Sequence, residues 1–97
     1  MNDTLSEGDA IAIQDILIEQ LEIPRSQITP GARLKADLGA DLLDIVEIGM
    51  KVEERFEISI PDEELEPDPK VGDIYAVVAR LGAGPDGATI KRETSRR

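Results

Sequence analysis

The chain has 97 residues, room for one domain with a thin core. It carries 11 Lys and Arg against 21 Asp and Glu, a formal charge of −10, with no Cys and no His. That balance excludes nucleic acid and an anionic membrane surface as expected partners, because both need a basic face. The missing side chains exclude the usual zinc site, a disulfide, a thiol nucleophile and an imidazole base, and with them a Ser-His-Asp triad. Phe56 and Tyr75 are the only aromatic residues, too few for a base-stacking platform. The charge has an address. Residues 37–68 hold twelve acids and two bases, whereas residues 88–97 hold four bases and one acid. Met1–Ala10 is polar and acidic, unlike a targeting leader, and no apolar run approaches the ~18 residues of a membrane span. The expectation is a soluble cytoplasmic chain.

Ala10, Ile13, Ile16, Leu17 and Leu21 recur at helical spacing, with Asp15, Glu19 and Glu22 opposite, and Pro24 follows. This predicts a helix over 7–21. Pro24, Pro30-Gly31 and Gly39 punctuate the next stretch, 22–40, which reads as a long loop. Ile23, Ile28, Leu34 and Leu38 run through it, so the loop is expected to lie over the core rather than in solvent.

Asp41 is placed to cap a second helix, with Leu42 first in the helix and Asp44 three residues beyond the cap. Asp44, Glu47, Lys51, Glu54 and Arg55 share one charged arc of that helix. Leu43, Val46, Met50, Val52 and Phe56 lie opposite, joined by Leu42, Ile45, Ile48 and Gly49. The apolar arc spans roughly 220°, about twice what a surface helix buries, so part of it is expected to face outward. Ser59 or Pro61 then opens a short acidic turn, and Pro67 and Pro69 end it. Asp68-Pro69 reads as cap and first residue of a last helix over about 69–81, with Val71, Ile74, Tyr75, Val78 and Leu81 on one stripe. Gly82, Gly84, Pro85 and Gly87 stop it. The fold class is therefore all-α: a small antiparallel helical bundle with three main helices, one short helix and a long first loop. The domain is expected to span 1–87. Residues 88–97 form a basic tail, expected to be disordered.

The stretch Asp37-Leu38-Gly39-Ala40-Asp41-Leu42-Leu43-Asp44-Ile45-Val46-Glu47, followed by Glu53-Glu54-Arg55-Phe56-Glu57-Ile58-Ser59-Ile60-Pro61-Asp62-Glu63-Glu64, resembles the bacterial acyl carrier proteins. Their hallmark is Asp-Leu-Gly-Ala-Asp-Ser-Leu-Asp, and seven of those eight residues stand here. Glu19-Gln20-Leu21 and Ile28-Thr29 add to the likeness, which covers about residues 7–81. The resemblance implies the acyl-carrier bundle, no catalysis by the chain itself, and a role in shuttling acyl intermediates for fatty-acid or related lipid and polyketide synthesis. It also implies a 4′-phosphopantetheine arm on the hallmark serine, attached by a phosphopantetheinyl transferase.

The one mismatch falls on that serine, where this chain has Leu42. A leucine side chain has no nucleophile, so no arm is expected on the chain as written. Ser6, Ser26, Ser59 and Ser95 lack the surrounding motif. Three functions stay open: a carrier-family protein blocked at its attachment position, naturally or by a Ser→Leu exchange, a regulatory or scaffolding module that binds carrier-dependent enzymes without cargo, or an acidic cation-buffering protein.

Partners implied by the resemblance are acyl-processing enzymes with basic patches, met by Asp41, Asp44, Glu47 and Glu54, with Ile45, Ile48 and Met50 as apolar neighbours. Leu42 and Ile45 are expected to form an exposed apolar patch. Family members sequester acyl chains among residues such as Val46, Val52, Phe56, Ile60 and Ile74, a role not expected without a tether. Asp37, Asp41 and Asp44 do not make an EF-hand, so weak cation screening is expected rather than a dedicated metal site. A monomer is expected.

Overall fold

A computed structural model of the protein describes residues 5–83. Helix α1 spans Glu7–Leu21, α2 spans Leu42–Phe56 and α3 spans Val71–Val78, running on into a π-helical turn over Ala79–Ala83. Short 3-10 turns form at Arg25–Gln27 and Asp62–Leu65. No strand is present among the described residues, although Arg33 and Lys70 pair as an isolated antiparallel bridge. The all-α bundle expected from periodicity is what forms.

The helix starts follow local chemistry. The Ser6 hydroxyl accepts the Asp9 amide at 3.1 Å and opens α1. Both α1 and α2 stop on a glutamate in the left-handed region, Glu22 at φ 57° and Glu57 at φ 58°. Buried side chains from all three α-helices meet in one core, including Ile13 and Leu17 of α1, Ile48 and Val52 of α2, and Ile74, Val77 and Val78 of α3. Gln20, near the end of α1, bonds Asp44 at the start of α2, so these two helices run antiparallel.

The long loop is built into the core. Ile28, Ala32, Leu34, Leu38 and Ala40 are buried, while Ile23 packs against the core partly exposed. Its backbone is held by the start of α3 and the segment leading into it. Leu34 N–H donates to Pro69 O, Val71 N–H to Ala32 O and Gly72 N–H to Pro30 O, each at 2.9 Å. A Cβ on Gly72 would sit 3.0 Å from Pro30 O, which is why the loop and helix can approach so closely there.

The last helix starts later than Asp68-Pro69 implies. Lys70 is its N-cap residue, and Asp73 accepts the Lys70 amide at 2.9 Å. The Asp68 carboxylate is engaged across the molecule instead, accepting Lys35 N–H at 2.7 Å and Ala36 N–H at 3.2 Å. The tertiary contact to the first loop takes up the carboxylate that a local cap would use. The expected boundary at residue 87 and the basic tail at 88–97 lie outside the described residues.

Candidate functional site around the start of α2

Residues Asp37–Asp44 carry the chain into α2. Gly39 takes φ 80°, a left-handed conformation that suits glycine, and Ala40 N–H returns to Leu34 O at 2.8 Å. Asp41 then caps. Its carboxylate accepts the Asp44 amide at 2.9 Å while the Asp44 carboxylate accepts the Asp41 amide at 3.2 Å. This reciprocal box fixes the helix start and places acids at the positive end of the helix dipole.

Leu42 is the first residue of α2 and is 66% exposed. No core contact demands a large apolar group there. The residues around it keep an anion-friendly helix start, but the side chain itself lacks a hydroxyl. The donor set therefore does not fit covalent attachment of a phosphopantetheine arm at this position.

The apolar arc of α2 divides differently from the expectation for Ile45 and Ile48. Both are buried, at 3% and 1% exposure, together with Gly49 and Val52. They follow the i, i+3, i+4, i+7 spacing of a core stripe, and that stripe enters the core shared with α1 and α3. Ile45 and Ile48 are thus core residues that leave almost no exposed surface, although Ile45 reaches the lining of the groove beside α2. The exposed apolar side chains of α2 are Leu42, Leu43, Val46 and Met50. Leu43 and Val46 carry no sequence signal that separates them from the buried set, because nearly the whole arc is apolar. Of the expected charged set, Asp41, Glu47 and Glu54 are exposed and Asp44 is half-buried.

Gln20 reorganises the acidic face. Its amide nitrogen donates to Asp44 Oδ1 at 3.1 Å and Glu47 Oε1 at 2.7 Å, and its amide oxygen accepts Lys51 Nζ at 3.0 Å. One neutral side chain from α1 thereby bridges two acids and a base of α2. The Gln20 hydrogen bond is the first cause holding the Asp44 carboxyl below its ordinary value, followed by the Asp41 amide. A lowered carboxyl stabilises the fold fully above the ordinary aspartate range, and the contribution disappears as pH falls through the folded-state value. Gln20→Ala is expected to move the Asp44 titration upward in a carbon-detected NMR pH series. An unchanged Asp44 midpoint would remove Gln20 as the cause.

Beside the exposed stripe runs a groove of about 220 Å³ between α2 and the Asp62–Leu65 turn. Leu42, Val46, Met50 and Leu65 supply apolar lining, and Glu53, Asp62 and Glu66 are its charged residues, all acidic. Gly49 lets the walls close: a Cβ there would lie 2.8 Å from Leu65 Cδ1. Val46 and Ile60 line this groove, whereas Val52 and Ile74 are sealed in the core and Phe56 packs partly buried against it. Glu53 also accepts the Ile60 amide at 2.7 Å, tying the groove's floor to α2. Among the described residues, no three Asp or Glu side chains are grouped to hold a metal ion, and no helix is long and apolar enough to cross a membrane.

Residues 12–78 match the family described as "Phosphopantetheine attachment site". The chain is 50% identical over 66 residues to the acyl carrier protein of Helicobacter pylori strain J99, covering 68% of this chain and 85% of that protein. It is 44% identical over 70 residues to the acyl carrier protein of Syntrophobacter fumaroxidans, covering 72% of this chain and 86% of that protein. Both spans contain the greater part of the helical bundle.

Proposed function

Because the chain belongs to the acyl carrier protein family, we propose that it is a carrier-type docking domain whose attachment position is blocked at Leu42. It is not an enzyme. It presents the acidic and apolar start of α2 to acyl-processing enzymes of the kind that serve fatty-acid or related lipid and polyketide synthesis. It does so without an arm of its own. The supporting observation is a helix start kept intact around a changed side chain: the Asp41–Asp44 box is complete, and Leu42 stands 66% exposed in the place of a nucleophile.

The partner-facing set under this reading is Asp41, Asp44, Glu47 and Glu54, with Leu42, Leu43, Val46 and Met50 as apolar contacts. Charge matching to a basic enzyme patch sets encounter rate and selectivity, and it weakens with salt. The exposure of Leu42 favours one variant of the reading, a regulatory or scaffolding module, since the leucine enlarges the apolar contact that a serine would leave small. The test is direct. Incubated with coenzyme A and a broad-specificity phosphopantetheinyl transferase, the protein is expected to keep its intact mass. A gain of one arm would overturn the blocked-site reading.

A further inference from the structure

The Gln20 clasp settles a competition within α2. We infer that Gln20 is a positioning residue of the docking face: it holds Asp44 and Glu47 in place and keeps Lys51 off Glu47, so that both carboxylates stay open to a cationic side chain of the partner. The inference rests on the reading of α2 as the docking face and names the α1 residue that keeps that face available.

Glu47 and Lys51 stand four residues apart on α2, with the acid nearer the N-terminus. That is the favoured orientation for an ion pair along one helix face. Both side chains are exposed and free to close on each other. They do not. Among the described residues Arg25 pairs with Asp15 and Arg80 with Glu64, but Glu47 and Lys51 form no ion pair.

One amide intervenes. Gln20 Nε2 donates to Glu47 Oε1 at 2.7 Å and to Asp44 Oδ1 at 3.1 Å, while Gln20 Oε1 accepts Lys51 Nζ at 3.0 Å. A carboxamide offers two N–H donors at one end and an acceptor at the other, so it serves two anions and a cation at once. The opposite orientation of the amide would set its oxygen against both acids. The half-buried Gln20 is itself held by its neighbours on α1, the buried Leu17 and the partly buried Leu21. Asp44 is fixed from a second side, because its Oδ2 accepts the Asp41 amide at 3.2 Å. Each carboxylate keeps lone pairs for a further donor. A partner's Arg or Lys therefore meets two acids already placed within reach of a single nitrogen. It has neither acid to order and no internal base to displace from Glu47.

The first measurement needs no partner. In the parent protein, NMR coupling through a hydrogen bond from Lys51 Nζ to the Glu47 carboxylate is expected to be absent. In Gln20→Ala it is expected to appear. Coupling already present in the parent, or absent in the variant, would overturn the inference.

The second measurement reads docking. Leu42→Ser with coenzyme A and the transferase supplies the assay, and KM for the protein at low salt is the readout. Adding Gln20→Ala is expected to raise KM about two- to threefold with kcat unchanged, the scale of one helix-surface ion pair that the partner must now break. Lys51→Met is then expected to return KM to its starting value, while the same change beside an intact Gln20 moves KM far less. That difference between backgrounds separates release of Lys51 from a general gain in negative charge. An equal effect of Lys51→Met in both backgrounds would overturn the inference, as would a KM that Gln20→Ala leaves unmoved. Glu47→Gln in the same chain shows which reading has then failed. A raised KM there keeps the docking face and removes only the part given to Gln20. An unmoved KM removes Glu47 from the docking face itself.

Discussion

Leu42→Ser is expected to convert the chain into a transferase substrate, with one arm gained per protein where the parent gains none. The geometry favours this because almost nothing else has to change. Position 42 is the first residue of α2, and its side chain is 66% exposed, so little packing is lost with the leucine. The substitution should therefore leave stability within about 0.5 kcal/mol, as for other exposed positions away from special contacts. The new hydroxyl would stand at a helix N-terminus where amides and the dipole favour a phosphate. The Asp41–Asp44 box would hold it there. Intact mass after incubation with coenzyme A and transferase reads the result. If Leu42→Ser also stays unmodified while remaining folded by circular dichroism, the surface around it has ceased to be a transferase substrate. The scaffolding variant of the proposed function then gains, and the simple block at one side chain loses.

Much of this site is legible in the residues alone. Asp41 as cap, Leu42 as first helical residue and Asp44 as an acid in the first turn all follow from local chemistry, to which the structure adds the return bond from Asp44 to the Asp41 amide. The span Glu7–Leu21 likewise follows from an apolar period that ends before Pro24. Asp68 shows the opposite case. Its neighbours in the chain offer a helix cap, but a loop over thirty residues away supplies two amides that bind it instead. No local pattern encodes that competition. The faces of α2 are illegible for a different reason. With apolar residues over most of its circumference, periodicity cannot choose which stripe is buried, and only packing against the rest of the core breaks the tie. Gln20 belongs to a stretch that resembles the family, but its clasp on Asp44, Glu47 and Lys51 depends on the antiparallel pairing of two helices.

The division of α2 also separates two substitutions that sequence alone would treat alike. Ile48 is 1% exposed and sits among the largest fully buried side chains of the core, while Met50, two residues on, is 59% exposed. Ile48→Ala removes buried methyl and methylene groups and leaves a cavity that this small core can only partly close. The expected cost is about 3 kcal/mol. A domain of this size has little more than that to lose, since marginal stability starts near 5 kcal/mol. The urea midpoint should fall by roughly 2 M or more at the shallow slope of a small protein. If the alanine variant does not fold, Ile48→Val still tests the point, with an expected loss of about 1 kcal/mol. Met50→Ala should instead leave stability within about 0.5 kcal/mol of the parent. Its effect should appear at the docking face, as weaker capture by a carrier-dependent enzyme at matched salt. The reverse pattern, a stable Ile48→Ala protein and a destabilised Met50→Ala protein, would mean that α2 is rotated about its axis relative to the core. The exposed stripe, the groove and the face offered to partners would all rotate with it.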